Sequence, residues 1–226
     1  MTKEELVIAF EQLPTGNVSD AMDDMGVVRQ VIHGLYCCDP KLPRLVGWAY
    51  TLQQLRRRPD TPKENLTRQL QAVDTGAQAG DVIMYAAGGR MDVATGGSIL
   101  ALRAKRRGIR GFVVDGCFRD VDEIAEMDFP VYIKGASPVR SKGDLETYQL
   151  QMPVDICGVQ VNPGDLIVAD ASGVLAIPAS IAEEVCVRAK KIFENEEKMV
   201  KAIEEGLSIA SYVNAPTPAT GASHEL

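Results

Sequence analysis

The 226-residue chain is poor in aromatic residues and contains only two histidines and one tryptophan. It has no excess of positive charge, and its formal net charge of −7 argues against a surface that binds nucleic acid through phosphate attraction. It has no run of about 18 apolar residues that could form a membrane-spanning helix. Its N-terminus, MTKEELVIAF, lacks signal-peptide character. These absences predict a cytoplasmic protein with no membrane and no nucleic-acid partner.

Cysteine pairs with metal-site spacing are also missing. The five cysteines are odd in number and form no C-x-x-C motif: Cys37, Cys38, Cys117, Cys157 and Cys186. We therefore expect reduced thiols rather than a zinc site or a disulfide framework. Cys117 lies close to Arg119 in sequence and is the cysteine expected to line a functional pocket.

Hydrophobic residues make up 46% of the chain, which is enough for one good-sized core. We expect a single domain over residues 1–212. The segment from 213 to 226 is small, polar and proline-bearing, and it is predicted to be a mobile tail.

The pattern of apolar residues predicts an α/β fold. Helices are expected over 3–13, 18–25 with a start at Ser19-Asp20, 63–73, and from Ser180 to about Gly206. Strands are expected over 47–55, 81–86 with a glycine-rich loop at Gly88-Gly89 after it, 131–134, and a hairpin of 165–170 and 173–177.

The most informative stretch is GGSILALRAKRRGIRGFVVDGCFRDVDE, from Gly96 to Glu123. It predicts a glycine turn, an amphipathic helix that ends at Gly108, and a buried strand over 111–115. About ten helical residues at 1.5 Å and five strand residues at 3.3 Å each cover roughly 15 Å. The strand therefore returns the chain to the level at which the helix begins.

This return would place Arg119 and Asp120 beside the start of the helix. The backbone N–H groups expected to be free there are those of Gly97, Ser98, Ile99 and Leu100. Helix amides, a guanidinium and a carboxylate in one pocket suit an anionic substrate and a hard metal ion. Two simpler interpretations stay open, because an Arg-Asp pair is often a surface ion pair and a Gly-Gly pair is often a tight turn.

The same residues resemble a known family. GSILALRAKRRGIRGFVVDGCFRD is similar to the core motif of the regulator of ribonuclease activity A (RraA) superfamily, in particular to its 4-hydroxy-4-methyl-2-oxoglutarate and 4-carboxy-4-hydroxy-2-oxoadipate aldolases. The matching positions are Gly97, Arg119, Asp120 and Glu123. The resemblance extends from about residue 16 to about residue 208, through the helix at 17–23 and the glycine-aspartate turns at 80–83 and 161–170.

The resemblance implies a layered, swivelling β/α domain that assembles as a homotrimer or hexamer. It also implies a class II pyruvate aldolase, with decarboxylation of oxaloacetate as a side activity, that acts on a small anionic hydroxy-oxo diacid. Asp120 would hold Mg²⁺ or Mn²⁺, and Arg119 would act with Asp120 in catalysis. The amides of Gly97, Ser98, Ile99 and Leu100, together with Arg119, would bind the substrate.

Aldol cleavage needs a group that stabilises a pyruvate enolate, either a lysine Schiff base or a divalent metal. Lys134, which follows a buried-looking strand, is the best Schiff-base candidate, but a lysine at a strand end is more often exposed. The metal route is favoured, because Asp120 follows a strand and no histidine or cysteine cluster indicates a softer metal.

One position departs from the family pattern. Family aldolases often have an acidic residue directly after the motif glycine, where this chain has Ser98, and a serine is no base at neutral pH. The proton relay is therefore expected at Glu123 or at an acid from a neighbouring subunit. The C-terminal helix offers Glu194, Glu196 and Glu197, of which we favour Glu196.

Three further interpretations remain. The chain could be another metal-dependent 2-oxo-acid lyase or decarboxylase, a non-enzymatic interaction protein like the ribonuclease regulators, or a member of the superfamily with a different reaction. A methyltransferase is disfavoured, because no glycine-rich S-adenosylmethionine loop is present. The sequence does not choose the substrate, whose distal carboxylate could be bound by any of several residues: His33, Arg44, Arg56, Arg57, Arg58 or Arg90.

Overall fold

The computed structural model describes residues 1–28, 30–42, 44–141 and 143–213. Seven α-helices occur within these ranges: α1 (Lys3–Phe10), α2 (Thr15–Asp23), α3 (Arg68–Gln71), α4 (Ser98–Arg106), α5 (Val121–Ala125), α6 (Ala182–Glu204) and α7 (Ile209–Val213). The strands found there are β1 (Val31–Ile32), β2 (Tyr36–Cys37), β3 (Leu45–Arg56), β4 (Asp81–Ala94), β5 (Gly111–Phe118), β6 (Val131–Ala136), β7 (Leu145–Leu150), β8 (Val154–Ile156), β9 (Val159–Val161), β10 (Leu166–Asp170) and β11 (Gly173–Ile177).

A mixed sheet organises the described residues, in the order β1-β11-β10-β3-β4-β5-β6-β2, with β7 paired to β3. Strands β3, β4, β5 and β6 are parallel neighbours, and the flanking strands pair antiparallel. Strands β8 and β9 form a separate hairpin. The predicted α/β fold class is confirmed.

The sheet is covered differently on its two faces. On one face, α1, α2 and α6 pack over one end, with Phe10 fully buried. The segments around α3, α4 and α5 pack over the parallel strands on the same face, around interlocking rings of Tyr85, Phe112 and Phe118. The β8–β9 hairpin covers the other face. The parallel strands are thus buried on both faces, which is why β5 has the apolar sequence of an interior strand except at Asp115, which pairs with Lys134.

Several predicted boundaries were wrong. Helix α1 ends at Phe10 and not at residue 13. Helix α2 begins at Thr15 and not at Ser19-Asp20, because Pro14, directly before it, has a fixed φ that suits a helix start. The helix expected over 63–73 is divided into a 3-10 turn, the short α3 and a π-helical turn over Ala72–Gly76. Strand β4 does not stop before Gly88-Gly89: both glycines adopt positive φ within it and its pairing with β5 shifts there.

The other differences lie at short elements and at the chain end. Strands β1, β2, β7, β8 and β9 were not expected, and a 3-10 turn over Ala179–Ile181 replaces the Ser180 cap of α6. The predicted tail stays a prediction, because residues 214–226 lie outside the described part of the chain. No helix among the described residues has the length and apolar character needed to cross a bilayer.

Candidate active site

The candidate site lies where the parallel strands end, and Gly97 is at its centre. Helix α4 begins at Ser98, directly after Gly97, whose backbone is extended. A Cβ atom on Gly97 would lie 2.5 Å from Oδ2 of Asp120 and 2.9 Å from Cγ of Arg119. Only a residue without a side chain therefore lets the Arg-Asp pair approach the helix so closely.

Strand β5 leads directly into Arg119 and Asp120. It runs to Phe118, three residues beyond the predicted end at Asp115, and the N–H of Arg119 donates to the carbonyl of Gly96 at 3.1 Å. Asp120 follows with φ 56 and ψ 37, a left-handed conformation that is uncommon for a non-glycine residue. Its strained backbone directs the carboxylate toward α4, so the proximity expected from the spacing is observed.

Oδ2 of Asp120 accepts two hydrogen bonds and forms an ion pair with Arg119. It accepts hydrogen bonds from the backbone N–H of Ser98 at 3.2 Å and from the Ser98 hydroxyl at 3.3 Å. Nε of Arg119 lies 3.2 Å from the same oxygen. Because Gly97 has no side chain to cap α4, the carboxylate of Asp120 performs this role from the neighbouring loop.

This arrangement corrects the expectation of four free amides. The N–H of Ser98 is bound by Asp120, and that of Leu100 donates to the carbonyl of Gly97 at 3.1 Å. Within the described residues, the amides of Gly97 and Ile99 have no acceptor and remain available to a ligand. The helix start thus offers two donors, because the first turn and Asp120 use the other two.

A cavity of about 380 Å³ opens in front of these groups. Besides the motif residues, its walls include Gln69, Leu70, Thr95, Arg140 and Ser141. Side chains of Arg119 and Asp120 are 40% and 29% exposed, so both are accessible to a small solute. The cavity therefore combines free helix amides, two guanidinium groups and one carboxylate.

The described residues offer a hard divalent cation one protein ligand in this cavity. Oδ1 of Asp120 has no hydrogen-bond partner among the described residues and is the available protein ligand. No group of three or more potential His, Cys, Asp or Glu ligands occurs in the described ranges. A single carboxylate suits Mg²⁺ or Mn²⁺, which retain several water ligands, and does not suit a closed zinc site.

The predicted relay acids lie elsewhere in the chain. Glu123 is exposed on α5 and is absent from the cavity wall. Glu196 is on α6, where its Oε2 accepts a hydrogen bond from Nδ2 of Asn17 at 2.6 Å. Glu194 and Glu197 line a different depression beside α1. Of the candidates weighed for the relay, Ser98 is the one that contacts Asp120 among the described residues.

Lys134 lies in a separate cluster on the other face of the sheet. Its Nζ is 3.1 Å from Oδ1 of buried Asp115, and the Cys157 thiol donates to the same oxygen at 3.1 Å. The hydrogen bond with Asp115 raises the pKa of Lys134, which keeps the amine protonated and unsuited to Schiff-base formation. Cys117 is also not a cavity residue, because its buried Sγ faces Met91.

The residues expected to bind a distal carboxylate are not in the cavity. Arg44 pairs with Asp170, Arg58 with Asp60 and Arg90 with Asp92. None of these, nor His33, Arg56 or Arg57, lines the wall beside Arg119. Sequence reasoning missed Arg140, which a parallel bridge to Ala94 brings to the strand that enters the Gly96-Gly97 turn. This contact joins distant segments, and no local pattern marks it.

The sequence profile of the RraA-like family, described as Aldolase/RraA, matches residues 15–176. The chain belongs to this family. It is 33% identical over 210 residues to a protein of Halalkalibacterium halodurans named "putative 4-hydroxy-4-methyl-2-oxoglutarate aldolase", covering 92% of this chain and 94% of that protein. It is also 38% identical over 126 residues to the uncharacterized protein MJ0644 of Methanocaldococcus jannaschii, a match that spans 56% of this chain and 60% of that protein.

A solved structure gives the same assignment. The crystal structure of Streptomyces coelicolor RraAS2, described as an unusual member of the RNase ES inhibitor RraA protein family, superposes with a TM-score of 0.78. The two sequences are 31% identical, and the alignment covers 88% of this chain and 96% of RraAS2. The family thus includes proteins named as aldolases and proteins described as ribonuclease inhibitors, so the choice between them depends on the site.

Proposed function

We propose that this protein is a divalent-metal-dependent pyruvate aldolase that cleaves a 4-hydroxy-2-oxo diacid into pyruvate and a second 2-oxo acid. The observation that carries the proposal is the convergence of Arg119, Asp120 and the start of α4 on one accessible cavity. Two helix amides and a carboxylate oxygen are left accessible beside a guanidinium, a combination that suits an anionic substrate and a hard cation together. The relative of H. halodurans, which matches nearly end to end, bears a name consistent with this reaction.

Each group has a defined task in the cleavage. The amides of Gly97 and Ile99 bind the carboxylate next to the oxo group, as helix N-termini bind anions. The guanidinium of Arg119 donates to the 2-oxo oxygen and stabilises the negative charge that develops there when the C3–C4 bond breaks. The electron pair of that bond becomes the enolate of pyruvate, and protonation at C3 completes the product.

Asp120 would hold Mg²⁺ or Mn²⁺ through its free Oδ1, and the ion would supply Lewis-acid stabilisation of the enolate. The donors on Oδ2 fix the orientation of the carboxylate, since Ser98 and Arg119 approach that oxygen from different elements. Ser98 therefore positions Asp120 and is not itself a base.

A base must still accept the C4 hydroxyl proton. We propose that Glu196 of an adjoining copy in a homotrimer or hexamer performs this role, with Glu123 as the alternative within the chain. The hydrogen bond from Asn17 would fix the orientation of the Glu196 carboxylate at the surface of α6.

The same apparatus also favours a second candidate, the decarboxylation of oxaloacetate, because breaking its C3–C4 bond releases CO₂ and leaves the same pyruvate enolate. The two activities differ in their need for a base, since decarboxylation abstracts no hydroxyl proton. A variant that loses cleavage and keeps decarboxylation would therefore identify the base.

The test is pyruvate release, coupled to lactate dehydrogenase, on 4-hydroxy-4-methyl-2-oxoglutarate, 4-carboxy-4-hydroxy-2-oxoadipate and oxaloacetate. We expect activity with Mg²⁺ or Mn²⁺, none after treatment with EDTA, and recovery when metal is added back. Asp120→Asn should be inactive, whereas Asp122→Asn, which changes an exposed neighbour outside the cavity, should retain activity. Full activity after exhaustive chelation would contradict the proposal.

A further inference from the structure

The cavity contains a second guanidinium that the cleavage chemistry leaves unused. Arg140 lines the same wall as Arg119 and has no ion-pair partner among the described residues. Several other described arginines are neutralised by acids, such as Arg58 by Asp60, Arg90 by Asp92 and Arg103 by Asp74. An unpaired cation at the mouth of an anion-binding cavity is a feature that a further anionic group would satisfy.

The backbone holds Arg140 in this position. Ala94 and Arg140 form a parallel β-bridge, and the N–H of Ala94 donates to the carbonyl of Val139 at 2.8 Å. Ala94 is also the last residue of β4 before the turn that contains Gly97. The backbone that carries Arg140 is thus tied through one strand end to the start of α4, which keeps this residue beside the helix amides.

The adjoining depression is a poorer place for a second anion. It has a volume of about 520 Å³ and shares Gln69, Leu70 and Ser141 with the first cavity. Arg57 lines it, but so does the carboxylate of Glu146, which is held by Asn65 and Thr61. The Oε1 atom of buried Gln54 adds an acceptor without a partner. The charge of Glu146 and the acceptor oxygen of Gln54 oppose the binding of an anion near Arg57, which leaves Arg140 as the better site.

We propose that Arg140 binds the distal carboxylate of the substrate and thereby makes the enzyme selective for diacids. This role rests on the proposed aldolase function, because the other carboxylate must be seated on the α4 amides. Arg140 determines specificity and takes no part in bond breaking, so its removal should raise KM for diacids and leave enolate formation unchanged.

The first measurement compares two substrates, a diacid (4-hydroxy-4-methyl-2-oxoglutarate) and a monoacid without the distal carboxylate (4-hydroxy-2-oxopentanoate). Arg140→Ala should lower kcat/KM for the diacid by about tenfold to a hundredfold, mainly through KM, the range expected for loss of a charge-assisted hydrogen bond. The monoacid should be cleaved as before. Arg140→Gln serves as the second variant if the alanine variant does not fold, and Arg58→Ala, which removes an arginine outside the cavity, is the matched control.

Two further measurements separate this inference from the aldolase itself. Calorimetric titration with 2-oxoglutarate, a diacid without the 4-hydroxyl, should show weaker binding to Arg140→Ala than to the wild type, with equal binding of pyruvate. Exchange of the pyruvate methyl protons in D₂O, followed by NMR, should be the same in both proteins. If Arg140→Ala loses kcat/KM equally for the diacid and the monoacid, or binds 2-oxoglutarate as the wild type does, Arg140 does not bind the distal carboxylate. Persistent proton exchange in that case would leave the aldolase proposal intact. A wild type without proton exchange or pyruvate release would overturn the aldolase and this role with it.

Discussion

Gly97 and Asp120 are packed so closely that position 97 has no space for a side chain. A Cβ atom there would lie 2.5 Å from Oδ2 of Asp120, well inside the contact distance of the two atoms. The glycine of the motif is therefore a steric requirement of the carboxylate, in addition to being part of a turn. The first prediction follows from this contact.

Gly97→Ala should displace Asp120 and Arg119 and lower kcat by about a hundredfold or more, since misplacement by 1 Å can have that effect. The fold should persist, because the clash lies at the cavity rim, and circular dichroism would verify this. Gly16→Ala is the matched control: Gly16 is an exposed residue of α2 with nothing within 4 Å of the added Cβ, and this variant should be fully active. An active Gly97→Ala variant would show that the close packing has no role in catalysis.

Arg119→Lys should lower kcat by about a hundredfold or more, because lysine retains the charge but lacks the planar fork that can contact Asp120 and the substrate together. Steady-state pyruvate release at saturating metal provides the measurement. If the lysine variant is nearly as active as the parent, Arg119 contributes only to the local field.

If Glu196 of an adjoining copy acts as the base, two inactive variants should complement each other. Asp120→Asn and Glu196→Gln, each inactive for aldol cleavage, should regain partial activity when they are mixed, dissociated and reassembled, because some sites then receive both intact residues. Glu196→Gln keeps an acceptor for the bond from Asn17, so α2 and α6 should stay in contact.

Native mass spectrometry, with one variant isotopically labelled, must show that the mixed sample contains oligomers of both variants. Mixed oligomers without recovered activity, or a fully active monomer, would exclude the role of Glu196 from a neighbouring copy. Glu123 would then be the acid to test next.

The last prediction concerns stability and its dependence on pH. Although burial raises the pKa of Asp170, hydrogen bonds from Thr15 and Ser172 and the charge of Arg44 outweigh it, so the pKa lies below its ordinary value. A carboxyl group with a depressed pKa in the folded state stabilises the protein above the unfolded-state pKa of about 3.9, and this contribution disappears as the pH falls through the folded-state value. Asp170 links the start of α2 to strand β10.

Asp170→Asn should therefore lower the free energy of unfolding by about 1–3 kcal/mol at pH 7. The difference from the wild type should shrink toward pH 3, as measured by urea unfolding at a fixed protein concentration. Asp23→Asn, which changes an exposed carboxylate, should have little effect at either pH. A difference that is constant between pH 7 and pH 3 would contradict the assignment.

Much of the site could be predicted from the sequence because its parts are close along the chain. The helix after Gly97 and the strand after Gly108 are consecutive elements whose lengths match, so simple rises per residue place Arg119 and Asp120 beside the helix start. The hairpin of β10 and β11 was predicted with boundaries within one residue for the same reason, since its two strands are joined by a short turn.

Predictions failed where distant contacts override local preference. The segment after Lys63 has a helical pattern, yet it breaks into three short turns, among which Asn65 binds Glu146 and Arg68 binds carbonyl groups of β7. Strand β4 continues through Gly88-Gly89 because its neighbour β5 supplies pairing partners beyond the glycines. Neither partner segment is near these residues in sequence.

The sequence by itself determined the family, the α/β class and the identity of the motif residues, because these depend on residue types at short, fixed spacings. Only the tertiary structure decided which amides remain free, that Glu196 is held by Asn17, and that Arg140 lies in the cavity while Arg44 and Arg90 pair elsewhere. Hydrogen bonds and ion pairs form between whichever groups the folded sheet brings within about 3 Å, and that proximity is a property of the packed chain and not of any local segment.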